Sequence, residues 1–362
     1  MKPPPTIYLS IASTLILSVS AIKGTSQTIS SNNDLFESDD SMTIYLKGDV
    51  RDLLKDRTGS AKKFPFTLSY YKKDADAISI PVELKTRGHF RRLKENCNYP
   101  PLMIEFPSAG ANSATVFKHQ KKIKLVMPCK GEEYIIREWL VYKMYNLLTP
   151  LSFRSRLVKV KLEDSNNRKT ATVFYGLLLE DENQMAERNK TTIIKSEKRV
   201  SPQQIKRTEF LTMAVFQYLA GNTDWSVQYL QNIRLLAEDA KSMPIAVPYD
   251  FDHAGIVNAP YAFPTEELQM SSIRQRRYRG YCMADLTAFE DIIKKFNDLK
   301  KEIYKLYTDC SLLDAKYIKS TIQYLDEFYA TINNTKAWQK DFAYPCDKNG
   351  TGNVVIKGLK EN

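Results

Sequence analysis

Seven short runs of strand-like sequence crowd the chain before residue 180: MTIYL (42–46), FPFTLSYY (64–71), AISIPVELKT (77–86), PLMIEF (101–106), KKIKLVM (121–127), RLVKVKL (156–162) and ATVFYGLLLE (171–180). Most of them alternate apolar and polar residues, the pattern of half-buried strands. One helix interrupts them, EEYIIREWLVYKMYNLL (132–148), with Ile136, Leu140, Met144 and Leu147 on one stripe. From Asp181 onward the character turns helical. SPQQIKRTEFLTMAVFQYLAG supplies Ser201 as N-cap, Pro202 at the first helical position, Gln204 as capping-box partner and Gly221 as stop. Two more helices are expected over 284–307 and 312–333. No internal repeat is present. Strands first and helices after predict an α+β chain of two lobes, a β-rich portion over 41–180 and a helical portion over 181–362.

The chain has 362 residues, 43% of them hydrophobic, enough for a sizeable core. Its first residues contain a lysine, an apolar stretch from Ile7 to Leu17 and small residues around Ala21, and they read as a signal peptide over 1–21. That run is shorter than a membrane span requires, and no cysteine follows it to take a lipid. Residues 22–40 are polar and read as a flexible leader. No later segment is long and apolar enough to cross a membrane, so a secreted or periplasmic protein is expected. The five cysteines, Cys97, Cys129, Cys282, Cys310 and Cys346, would then meet an oxidising compartment. If the strands PLMIEF and KKIKLVM pair antiparallel, Cys97 and Cys129 meet at one end, and a bond between them is expected. The other three stay unassigned.

With three histidines and no CxxC pair, a zinc site is not expected. The formal net charge of +11 is concentrated in KTRGHFRRLK (85–94), KHQKKIK (118–124), FRSRLVKVK (153–161) and SIRQRRYRG (272–280). In an exported protein such clusters point to phosphates of a small ligand or to an acidic partner rather than to nucleic acid. RQRRYRG reads equally as a docking patch or as exposed charge.

VPYDFDHAG (247–255) ends an apolar run with acids at alternate positions. In an extended segment Asp250 and Asp252 face one side, and like charges that close repel unless a cation lies between them. IRLL (233–236) and PIAVPY (244–249) form a hairpin signal; a turn near Ala240 sets Asn232 opposite Tyr249. Asp224, in the loop after Gly221, can reach the same mouth. Hard oxygen ligands of this kind suit Mg²⁺ or Mn²⁺ held together with substrate phosphates. Next to these, Trp225 reads as a packing residue and His253 as a hydrogen-bonded structural one. No Ser-His-Asp or Cys-His order with recognisable flanks appears.

The stretches KTRGHFRR, KKIKLVM, REWLVYKMYNLL, SFRSRLVKVKL, FYGLLLED, NTDW, QN and PYDFD, over roughly residues 80–260, together resemble the spore coat protein H family of atypical secretory-type kinases. The chain is also similar, to about its last helix, to uncharacterised exported bacterial proteins. The family resemblance implies a two-lobed atypical protein-kinase-like fold that binds ATP with divalent cations and phosphorylates a protein or envelope hydroxyl. On the matching positions, Arg87 and Gly88 fall in the phosphate loop, Lys122 or Lys124 is the strand lysine, and Glu180 ends a strand that begins at Gly176. Asp224 is the catalytic acid, Asn232 and Asp250 are metal ligands, and Asp252 supports them. Glu138 lies where a kinase places the lysine's partner. The chain departs from the usual kinase pattern in the longer spacing from Asp224 to Asn232, in having only Gly88 in the loop, and in Gln231 where relatives often carry histidine. A non-catalytic envelope binding protein and a metal-dependent phosphoester hydrolase are the alternatives.

Overall fold

The computed structural model describes residues 1–2, 35–71, 76–106, 112–195 and 200–350. The expected signal peptide lies outside these residues apart from its first two, as does the leader up to residue 34. Contacts divide the chain after Asn32, and the architecture below is that of Asn33–Asn362.

The alternating runs become strands close to where the pattern sets them: β1 (Thr43–Gly48), β2 (Phe64–Tyr71), β3 (Ala77–Thr86), β4 (Leu102–Glu105), β5 (Lys122–Val126), β6 (Ser155–Asp164) and β7 (Thr172–Leu179). Short helix α1 (Val50–Lys55) follows β1, and α2 (Glu133–Leu148) separates β5 from β6. The seven strands close into one barrel, in the order β1-β2-β3-β4-β5-β7-β6. Closure comes from β6 lying parallel to β1, from Thr43 opposite Lys159 to Gly48 opposite Asp164. The remaining neighbours are antiparallel. This closed mixed barrel, with eight helices among the described residues, corrects the expected two-lobed kinase-like α+β fold. The physical reason is that alternation fixes which face of a strand is buried but not which strand lies beside it. Joining the two end strands removes both free edges.

Ile44, Leu46, Leu68, Ile80, Leu84, Ile104, Leu125 and Val160 fill the barrel and are fully buried. Leu35 and Phe36 pack into the same core, and Arg156 donates to the Leu35 carbonyl at 2.9 Å, so the packed chain begins upstream of Ser41. Outside the barrel wall, Val126, Leu177 and Leu179 join a second core together with α2. That helix is buried on nearly all sides because it lies between the barrel and the helical half.

The helical half contains α3 (Glu182–Arg188), strand β8 (Thr192–Ile193), α4 (Arg207–Ala220), β9 (Ile233–Ala237), β10 (Ile245–Pro248), α5 (Ala288–Asp298), α6 (Lys300–Thr308), α7 (Ala315–Ile332) and α8 (Thr335–Phe342). The Ser201–Gln204 capping box forms, but around a 3₁₀ turn that precedes α4. Gly221 closes α4 in the left-handed conformation, φ 66°, and a Cβ there would collide with the Tyr324 hydroxyl. The long helix expected over 284–307 is broken at Leu299.

Cys97 and Cys129 form a disulfide where β4 and β5 pair, as expected, and a second joins Cys282 to Cys346. Cys310 is free and half-buried. No helix among the described residues is long and apolar enough to cross a membrane.

Candidate functional site

The hairpin of β9 and β10 has the register read from sequence: the Tyr249 N–H donates to the Asn232 carbonyl at 3.0 Å. Pairing stops there because both strands leave the extended conformation at their next polar residue, Asn232 at φ 51° and Asp250 at φ 63°. Asn and Asp tolerate this left-handed region better than other non-glycine residues, and such backbone persists where its surroundings impose it. Here the Tyr142 hydroxyl takes the Asp250 N–H at 2.8 Å, and Phe251, fully buried, wedges between Tyr142 and Phe216.

Asp224 sits in the loop after Gly221 and is held from several sides. Its N–H donates to Asn222 Oδ1 at 3.0 Å. Asn232 Nδ2 donates both to the Asp224 carbonyl at 2.8 Å and to its Oδ2 at 3.0 Å, and Gln231 reaches Oδ1 at 3.5 Å. Burial, and then the charge of Asp250, lift the Asp224 carboxyl above its ordinary value, while His253, Gln231 and Arg279 pull it back. A carboxylate raised in this way is suited to accepting a proton.

The two acids of DFD take different partners. Asp252 is buried and receives Arg91 at 3.3 Å; Arg91 also donates to the Met127 carbonyl at 2.7 Å and faces Glu138 at 3.8 Å. The cation that relieves the repulsion at Asp252 is therefore an arginine of the chain, and Glu138 faces it rather than a lysine. Burial works against the Arg91 charge, but Tyr261, Asp252, Glu138 and Asp250 more than restore it. Burial and neighbouring Asp252 hold the Asp250 carboxyl up; Arg91, Arg87 and His253 oppose them. No hydrogen-bond donor among the described residues reaches that carboxylate.

Arg87 and Lys124 complete the cluster. Arg87 is half-buried within electrostatic reach of Asp250, Tyr249, Arg91 and Tyr142, and burial above all lowers its pKa below the ordinary arginine value. Lys124 lies 5.3 Å over the Tyr249 ring, and burial, then Arg87 and Arg234, push it down to about 8. Arg234 covers the same ring at 4.6 Å, donates to the Tyr249 hydroxyl at 2.8 Å and pairs with Glu182. Neither Arg87 nor Lys124 makes an ion pair among the described residues. Gly88, next to Arg87, has φ 81° and is exposed.

Arg87, Lys124, Asp224, Asn232 and Asp250 therefore come together, and Asp252 stands behind them. Lys122 and Glu180 do not join them. Lys122 is exposed and 3.7 Å from Asp181, and Glu180 is committed to Arg188 at 2.9 Å and to the Arg154 N–H at 2.8 Å. Both line a separate cavity of about 850 Å³ with Arg154, His119 and Gln184. Trp225 is a packing residue, buried against Phe210 and bonded to the Asn222 carbonyl. His253 lies between Phe90 and Tyr261 at ring distances of 6.2 and 5.8 Å. The RQRRYRG cluster is neither a patch nor solvated charge: Arg274, Arg276, Arg277 and Arg279 donate to the carbonyls of Gly255, Leu219, Leu268 and Trp225.

Arg91, Arg234 and Arg279 were not singled out in sequence, because what marks them is a contact made only in the fold: Arg91 with Asp252, Arg234 with Glu182 and Arg279 with the Thr223 and Trp225 carbonyls. Only the local excess of arginine signalled two of them. Among the described residues no three His, Cys, Asp or Glu side chains converge as a metal-binding group. Asp250 and Asn232 Oδ1, neither with a donor, instead fit a cation that arrives with its own phosphate ligands. No protein-family model matches the chain, and no curated protein matches it either.

Proposed function

We propose that this protein binds a nucleoside triphosphate together with Mg²⁺ or Mn²⁺ and transfers the γ-phosphoryl group to a hydroxyl of a protein or envelope acceptor outside the cytoplasm. One observation carries the reading: two half-buried cations that make no ion pair among the described residues, Arg87 and Lys124, lie within electrostatic reach of the Asp250 carboxylate, which no donor among the described residues reaches. Cations left in that state call for an anion, and a carboxylate beside them calls for a counter-charge of the opposite kind. A metal-bound phosphate chain supplies both. The order of motifs resembling the spore coat protein H family supports the same reading, and the two disulfides suit an exported chain.

In this mechanism Arg87 and Lys124 grip phosphate oxygens by charge-assisted hydrogen bonds. Asp250 and Asn232 would hold the cation, which supplies charge neutralisation across the β- and γ-phosphates when bound. Asp224 takes the proton of the acceptor hydroxyl as its oxygen bonds to the γ-phosphorus and the bridging bond to the β-phosphate breaks. A second reading, a non-catalytic binding protein, draws on the commitment of Asp252 to Arg91, which leaves Asp250 as the one donor-free acid of the pair.

Melting curves with ATP alone, Mg²⁺ alone and both together test binding, since a ligand of the folded state raises its stability by mass action. Incorporation of labelled γ-phosphate into an envelope extract tests transfer. A rise with ATP and Mg²⁺ but no incorporation, or no rise at millimolar ATP, favours the second reading over transfer. Free phosphate without a labelled acceptor identifies hydrolysis.

A further inference from the structure

The segment 274–282 runs from α-helical packing to the second disulfide, and one of its side chains reaches the loop that carries Asp224. Arg279 Nη1 donates to the carbonyl of Thr223 and, at 3.1 Å, to that of Trp225, the residues on either side of Asp224. The Asp224 N–H and carbonyl are themselves taken by Asn222 and Asn232. The loop's peptide groups are therefore fixed from two directions, and the Arg279 side holds both flanks at once. Three residues on, Cys282 is bonded to Cys346, in the 3₁₀ turn that follows α8. Tyr278, also in this segment, is buried against Phe289 and Phe342 of the helical core.

We propose that Arg279 is a positioning residue for Asp224, clamping its two flanking carbonyls so that the carboxylate is presented to the acceptor hydroxyl, with the Cys282–Cys346 disulfide holding the clamp in place. This rests on the phosphoryl-transfer reading for its consequence, but the geometry is independent of it. Arg279 sets where the acid points.

The test compares wild type, Arg279→Lys, Arg279→Met and the double variant Cys282→Ser/Cys346→Ser. The first readout needs no activity. Amide exchange over residues 222–226 should quicken in Arg279→Met and in the disulfide variant while the barrel's amides stay protected. The second readout is kinetic: kcat should fall roughly 100-fold in Arg279→Met, as expected for a misplaced catalytic group. KM for ATP should change by less than about two-fold, and the lysine variant should recover part of the rate. A folded Arg279→Met protein with unchanged exchange over residues 222–226 overturns the proposal. If Arg279→Met does not fold, the lysine and disulfide variants decide: unchanged loop exchange in both overturns it. If wild type transfers no phosphoryl group, the proposed function falls, and loop exchange still decides the role of Arg279.

Discussion

Replacing Lys124 by methionine should stabilise the free protein at pH 7 and weaken its hold on a triphosphate. Burial, then Arg87 and Arg234, hold the ammonium at about 8 against an ordinary 10.5. A base whose folded value lies below its unfolded one costs stability wherever both states are charged. The cost is full below about pH 8, shrinks between 8 and 10.5, and vanishes above that. At 1.36 kcal/mol for each pH unit between 10.5 and about 8, the ceiling is about 3.4 kcal/mol. The side chain is only partly buried, so solvent screening reduces this to about 1–2 kcal/mol. The lost contact over Tyr249, at 5.3 Å, returns about 0.5–1 kcal/mol. The expected net gain is about 1 kcal/mol at pH 7, with no gain or a small loss at pH 10.5. Urea unfolding of both proteins at the two pH values measures it. ATP affinity at pH 7 should meanwhile fall by about 10- to 100-fold, the worth of one charge-assisted contact. A variant less stable than wild type at pH 7, or a gain that does not depend on pH, refutes the idea that Lys124 is a strained cation awaiting an anion.

Asp250→Asn removes an acid whose carboxyl is raised, so its cost to the native state is full at neutral pH and absent below the unfolded value near 3.8. The variant should match or slightly exceed wild-type stability at pH 7, lose that advantage towards pH 4, and show no Mg²⁺-dependent rise in melting temperature with ATP; a loss at pH 7 with the metal response intact would mark Asp250 as structural. Glu180→Gln should cost about 1–3 kcal/mol through Arg188 and leave ATP affinity unchanged, as denaturation and calorimetry will show. Opening Cys97–Cys129 by paired alanine substitution should cost about 3–4 kcal/mol on the loop-entropy account, given its sequence separation of 32. A cost below about 1 kcal/mol by urea unfolding would show that the reduced chain keeps those strands paired.

The strands were legible because each carries its own alternation, and β2 and β3 fall where FPFTLSYY and AISIPVELKT lie. Closure was not, because Thr43 and Lys159 meet across the whole length of the barrel sequence, and nothing local in either strand names the other. The break at Leu299 was hidden for a similar reason: no glycine or proline marks it. In the site, the hairpin register followed from turn position, so Asn232 and Tyr249 were found. Arg91 was not distinguishable from Arg92 beside it, although one meets Asp252 and the other meets Asp56. The reading of RQRRYRG failed because carbonyl partners leave no trace in composition. Asp250 and Asp252 were read as alternating on one face, which holds only for an extended chain; the positive φ at Asp250 aims them differently.

The ring of strands has a mechanical consequence. In an open sheet, neighbouring strands slide or splay at the edges when something enters beneath them. Here β5 is bonded on one side to β4 and on the other to β7, and the circuit continues through β6 and β1 back to its start. Moving Lys124 by shear would break pairing all the way round, so the strand that carries it behaves as a fixed post. What freedom this edge of the cluster keeps lies instead in the backbone at Gly88, φ 81°, and in the half-buried Arg87 side chain, which makes no ion pair among the described residues.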